Sequence, residues 1–450
     1  MSKYDLTQQS KEPVIPRRIL SALLSSLSAG VVPRSGAPYI AIGRHREIAA
    51  LLSDLETVSQ NGSAIRFIIG RYGSGKSFLI QLIRGYAIDR DFICADADLS
   101  PERRLYGSNG TGLATYRELI KNLSSKASPD GGALPKIIAR WLSTLQSELV
   151  EEGLSPEEPA FDRSLSTRIH KTVRTFESGV GGFDFAAVLT QYFKASMSGD
   201  DAKRSACLRW LRGEFSNKTE ARAALGFNVG GVINDDNWYD YIKLWALFAR
   251  IAGYRGFVVF IDECVNLYKI TNRISRENNY EKLLSMYNNT LGGRAEGLMM
   301  VFGGTPQFLE DTRRGLFGYE ALRSRLCDTQ FASGSFIDFS GPIIRLRRLS
   351  NDELLALISR LTKLHAKLYP NGEGRVTEEN MIAFMNLCLS RTSSSELITP
   401  REIIRDYLSV LNILVQNDNI SFDDIVTPSV EQKTDEKPTS ADISLEDIDF

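Results

Sequence analysis

The stretch AIRFIIGRYGSGKSFLIQLI, residues 64–83, decides the fold. It opens on apolar residues, Ala64, Ile65, Phe67, Ile68 and Ile69. It turns on glycines, then resumes at helical spacing with Phe78, Leu79, Leu82 and Ile83. That is the pattern of strand, loop and helix. The loop from Gly70 to Ser77 matches G-x-x-x-x-G-K-[ST] in full. Gly70, Gly73 and Gly75 let backbone N–H groups turn inward around phosphate oxygens, where a side chain would block the approach. The helix that follows points its positive end at the same anion. Lys76 supplies a point charge for the β- and γ-phosphates, and Ser77 a hydroxyl for Mg²⁺. Gly70, Tyr72, Gly73, Ser74, Gly75, Lys76, Ser77 and Phe78 are therefore the candidate nucleotide-binding positions. The plain alternative, a glycine-rich turn that matches by chance, is disfavoured by the strand before it and the amphipathic helix after it.

The 450 residues leave room for two or three domains, and 43% apolar residues supply an ordinary globular core. With 54 basic and 55 acidic residues there is no global basic field for nucleic acid, although a local basic face is compatible with that balance. The five cysteines are scattered, with no C-x-x-C pair, as expected of reduced structural thiols in the cytoplasm. The three histidines are too far apart for zinc-ligand spacing. The polar N-terminus lacks a signal core, and no run approaches the ~20 apolar residues of a membrane helix.

Along the chain, residues 1–16 read as a disordered leader, followed by a helix from Pro16 to about Leu27. The segment from Arg46 is helical again, with Ile48, Leu51, Leu52 and Leu55 on one face. A second strand is expected at Phe92–Ala95, ahead of the acidic Asp96 and Asp98. Residues 99 to about 250 form a long helical insertion, with loops expected at 127–133, 152–163 and 196–204. Continuous apolar runs at Gly256–Ile261, Leu298–Phe302 and Ile343–Leu346 fit strands buried on both faces of a parallel sheet. The expected fold class is thus α/β, a five-stranded parallel sheet with a large helical insertion. The core spans 17–349, a small helical lid 350–417, and an acidic, disordered tail 418–450. Ser350/Glu353 and Thr399/Glu402 mark two capped helix starts in the lid.

Asp262 and Glu263 end an apolar strand. Beside a phosphate loop, Asp262 would hold Mg²⁺ together with Ser77, and Glu263 would polarise the attacking water. The alternative is a pair of exposed acids at a strand end. Thr305 closes the next strand, either as a polar sensor of the γ-phosphate or as an ordinary strand-to-loop residue. Arg323 and Arg325 follow, one of them, with Arg325 favoured, as an arginine finger, or both as a solvated pair. Arg401 sits in the first turn of a helix, against the helix dipole, either reaching toward the γ-phosphate or balanced by Glu402.

Taken together these pieces resemble an AAA+ ATPase of the initiator type. IGRHREI, residues 42–48, is similar to the entry motif that precedes the phosphate loop, which adds Gly43 and Arg44 to the cofactor-binding set. GRYGSGKS resembles the Walker A motif, VVFIDE Walker B, VFGGTP the sensor 1 region, RSR the finger segment and TPRE the sensor 2 helix. The resemblance implies a catalytic set of Glu263, Lys76, Arg325 and Thr305, with Mg-ATP bound between subunits. VVPRSGAPYIAIGR and ITPREIIRDYL further resemble the BrxC/BrxD family of ATP-binding proteins of bacteriophage-exclusion (BREX) defence systems, over roughly residues 17–415. Two features depart from the pattern. Nothing after about residue 417 suggests the winged helix of initiators. Asp96-Ala-Asp98 stands where many relatives have an amide that restrains the catalytic acid.

The expectation is a cytoplasmic ATPase that couples turnover to conformational change in a DNA-acting defence complex. It would be a homo-oligomer or a mixed one with a related ATPase. Partners would include a methyltransferase, a phosphatase-like protein or a helicase. Two alternatives stay open: a nucleotide switch with negligible turnover, and a loader of a partner helicase that docks through the insertion or the acidic tail. DNA contact is a weaker expectation, carried by basic clusters such as Arg103-Arg104 and Arg313-Arg314.

Overall fold

Five strands form where the chain has its apolar runs: β1 (Ala64–Ile69), β2 (Ile93–Asp98), β3 (Phe257–Asp262), β4 (Leu298–Gly304) and β5 (Ile343–Arg345). The computed structural model describes residues 14–176, 179–327, 338–390 and 399–426. The start of the leader, the tail from 427 onward and the proposed tail-docking segment lie outside the described residues. The strands make one sheet in the order β2-β3-β4-β1-β5, and every pairing is parallel. Every residue of β1, β3 and β4 is buried, which is why these segments carry no polar/apolar alternation. The buried exception in β1 is Arg66. It bonds both carboxylate oxygens of Asp54, at 2.6 and 2.7 Å, and the carbonyl of Phe339 at 2.9 Å. A buried charge is tolerated there because every face of it meets an acceptor.

β2 runs three residues further than expected, to Asp98, although Asp is a poor strand former. The ladder to β3 decides this, since it continues through Asp96–Phe260 to Asp98–Asp262. Asp96 is accommodated by Arg84, whose guanidinium also bonds the Ser124 hydroxyl and the Pro129 carbonyl.

The insertion is helical as expected, from Thr111–Lys121 to Trp238–Ile251. All four tryptophans of the chain lie in it and are buried. Trp245 donates to the Tyr116 hydroxyl at 3.1 Å, Tyr116 to the Leu211 carbonyl at 2.7 Å, and Trp238 to the Leu105 carbonyl at 3.0 Å. One continuous apolar core joins these helices to the sheet. Two of the expected loops are shorter than read. A helix, Pro159–Val173, begins inside 152–163. Helices Gly182–Ser198 and Asp201–Leu211 leave only two residues of 196–204 between them. The polar residues there are caps: Gly199 takes φ +68°, and Asp200 accepts the Lys203 amide at 3.0 Å.

The chain divides into two compact units, one of them Arg44–Arg348. The second comprises, among the described residues, 14–43 and 349–426. Residues 17–43, grouped with the sheet in the sequence reading, pack instead with the C-terminal helices. Helix Arg17–Ser28 lies against Pro400–Gln416 and Asn351–Leu368. Both capping boxes form, at Ser350/Glu353 and Thr399/Glu402. Burial pushes the Cys94 and Cys207 thiols up to about 12, so both stay protonated at neutral pH. No described helix is long and apolar enough to cross a membrane.

Candidate nucleotide site

β1 delivers the chain into the glycine loop between its two neighbours. The Gly70 amide bonds the Gly304 carbonyl of β4 at 3.1 Å, and the Leu346 amide bonds the Ile69 carbonyl at 2.7 Å. A side chain at Gly70 would lie 2.2 Å from the Ser74 hydroxyl, which would have to turn away. Gly75 takes φ +89° and faces open space, and Gly73 takes φ +75°. Helix Lys76–Asp89 starts directly from Gly75. Lys76 curls back over the loop, its Nζ 3.0 Å from the Gly70 carbonyl and 3.2 Å from that of Arg71.

The strand acids arrive at the same place. The Ser77 hydroxyl donates to Asp262 Oδ2 at 2.7 Å, across 185 positions of sequence. Asp262 Oδ1 accepts the Glu263 amide at 2.8 Å. Glu263 adopts φ +57°, a left-handed conformation that costs a non-glycine residue ~1–3 kcal/mol. Burial lowers the pKa of Lys76, while the charges of Asp262 and Glu263 raise it. Lys76, Ser77, Asp262 and Glu263 are therefore one constellation.

The family model for BREX system ATP-binding proteins BrxC/D matches residues 15–429. The chain belongs to this family. No curated protein matches it.

In this BrxC/D-family chain the site suits a triphosphate with Mg²⁺. The buried Ser74 hydroxyl has no hydrogen-bond partner, the glycine cradle is open at Gly75, and a hydroxyl–carboxylate pair is a hard oxygen donor set. Ser77 and Asp262 would hold the metal. Tyr72 is three-quarters exposed at the loop rim.

Arg44, expected among the cofactor contacts, is a buried strut. It donates to the Ser74 carbonyl at 2.9 Å, to the Arg347 carbonyl and to Glu47 at 3.3 Å. It thus ties the phosphate loop to the chain just past β5. Gly43, at φ +71°, sits in the other unit, where a side chain would strike the Glu353 carboxylate. The Thr305 hydroxyl caps the short helix Pro306–Glu310, accepting the Phe308 amide at 3.3 Å. Arg325 is exposed and bonds Asn288 at 3.1 Å and the Ala321 carbonyl at 2.7 Å. Arg323 pairs loosely with Glu320 at 3.9 Å. Arg401 is exposed in the first turn of Pro400–Gln416, in the other unit. The structure therefore groups four of the predicted residues around the loop, and gives Arg44 and Thr305 scaffold contacts.

Two residues beside the site had been given no role in the sequence reading. Gly303 lies against Asp262; a side chain there would come within 2.1 Å of Oδ1. Its only signal was a Gly-Gly pair closing an apolar strand. Asp98 pairs with Asp262 in the ladder. Partial burial of its carboxyl, then the charges of Asp262 and Glu263, raise its pKa above 3.8. The folded state therefore holds this proton more tightly than the unfolded chain, and stability falls as pH rises upward from about 3.8. Asp98→Asn is expected to raise stability at pH 7 by about 0.5 kcal/mol, a small value because the residue is solvent-screened. The gain should vanish below the ordinary Asp pKa, as measured by urea unfolding across the acid range.

Proposed function

We propose that the protein is an AAA+ ATPase acting in a bacterial BREX-type defence complex, and that it couples ATP turnover to conformational change in its partners. The observation that carries this reading is the Ser77–Asp262 hydrogen bond, with Lys76 and Glu263 beside it. Catalysis is electrostatic positioning. The loop amides and Lys76 gather charge on the β- and γ-phosphates. Mg²⁺ at Ser77 and Asp262 would neutralise charge that develops during transfer. Glu263 orients the attacking water and accepts its proton. Arg325, from a neighbouring subunit, completes the site, which implies a homo-oligomer or one mixed with a related ATPase. Thr305 senses the γ-phosphate. A methyltransferase, a phosphatase-like protein and a helicase are the partners such a system would offer.

The wild-type protein is expected to bind ATP saturably by calorimetry and to release phosphate with Mg²⁺ present. No saturable heat with ATP would end the reading at its first step.

A further inference from the structure

Two glycines, Gly303 and Gly304, end β4 side by side, in a strand whose every residue is buried. Neither takes a positive φ, so the main chain at both positions would suit an L residue. Glycine inside a strand weakens it, because it loses more backbone entropy and packs no side chain. What excludes a side chain here is therefore whatever stands where it would go.

At Gly304 that neighbour is an apolar ring, since a Cβ would come within 2.5 Å of Phe308 Cδ1. At Gly303 it is the carboxylate of Asp262, with Cγ only 2.8 Å away and Oδ1 closer still, followed by Ile80 Cδ1 at 3.0 Å. The carboxylate is poorly placed to retreat. Asp262 is buried, and both its oxygens are engaged. Oδ2 accepts the Ser77 hydroxyl at 2.7 Å, and Oδ1 accepts the Glu263 amide at 2.8 Å. The Gly303 carbonyl accepts the Cys264 amide at 2.9 Å, which fastens the chain just past Glu263 to the same point of β4. A carboxylate pushed away from position 303 would lose its aim at Ser77 and release the Glu263 amide together.

We propose that Gly303 is a positioning residue for the metal. By lacking a side chain it admits Asp262 Oδ1 against β4. That aims the carboxylate at the position beside Ser77 and helps to hold Glu263 in its left-handed conformation. The inference rests on the reading of Ser77 and Asp262 as the residues that would hold Mg²⁺.

The test is ATP calorimetry with Mg²⁺ and with EDTA in its place, joined to thermal melting without nucleotide. Wild-type protein is expected to bind ATP more tightly with Mg²⁺. Gly303→Ala is expected to lose roughly 10–100-fold of that enhancement. Its metal-free ATP affinity should stay within a few-fold of wild type, because the loop amides and Lys76 are untouched. Gly304→Ala, overpacked against Phe308 in the same strand, is expected to keep the enhancement. Gly303→Ala should also lower the melting temperature, and far less so in an Asp262→Ala background, where the obstructed group is gone. If Gly303→Ala alone does not fold, folding of the double variant supports the proposal and its failure to fold overturns it. No enhancement in the wild type would overturn the metal reading and the proposal with it. An enhancement that is present in the wild type and survives in Gly303→Ala would overturn the proposal alone. So would an equal loss in Gly304→Ala, or an equal fall in melting temperature with and without the Asp262 carboxylate.

Discussion

Glu263→Gln is expected to cut ATP turnover by about 10²–10⁴-fold while leaving ATP affinity within a few-fold of wild type. The amide keeps the size of the carboxylate but cannot accept the proton of the attacking water. The backbone argues for the same role. Glu263 is held at φ +57° by contacts on every side. Its own amide is taken by Asp262, its carbonyl by the Asn266 amide at 2.9 Å, and the Cys264 amide by the Gly303 carbonyl at 2.9 Å. Strain of this kind persists only where the surroundings over-determine it, and it gathers at functional sites. Glu263→Gly should therefore stabilise the fold by about 1 kcal/mol and abolish turnover. Phosphate release and urea unfolding measure the two effects separately. If wild-type turnover does not exceed that of Glu263→Gln, with or without DNA, the motor reading gives way to the nucleotide switch.

Arg44→Ala is expected to cost about 3–5 kcal/mol of stability. The loss has two parts. Glu47, itself buried, is left without its cation, and the Ser74 and Arg347 carbonyls lose a charged donor. Since Ser74 belongs to the phosphate loop, ATP affinity should fall with it. Arg44→Lys should rescue only part of either effect, because one ammonium cannot span acceptors that a planar guanidinium reaches together. Guanidinium unfolding and ATP calorimetry give the two readouts. A variant as stable as wild type, binding ATP normally, would show that the strut is dispensable.

The two predictions draw on different depths of legibility. Lys76 and Ser77 were readable because their geometry is local: the glycine spacing, the strand before and the helix after are all written within twenty residues. Asp262 and Glu263 were readable as a strand end, but the meeting of Asp262 with Ser77 is a fact of strand order. Arg44 was noticed only through a resemblance to an entry motif, and apart from its neighbour Glu47 its contacts proved to be with main-chain carbonyls, which leave no mark in side-chain pattern. The ends of β2 and of the expected loops were missed for a related reason. Asp98 joins the ladder because β3 continues beside it. Gly199 and Asp200 look like a loop but serve as caps that bring two helices close together.

By itself the sequence determined that a strand, a phosphate-shaped loop and a helix follow one another, that further buried strands exist, and that acids terminate one of them. These follow from residue type and short-range periodicity, which set local backbone geometry wherever they occur. Only the tertiary structure decided that β4 lies between β1 and β3, that Gly303 clears space for Asp262, and that Arg44 braces the loop. Those outcomes depend on sheet order and register, which arise from how the whole core packs rather than from any one stretch of chain.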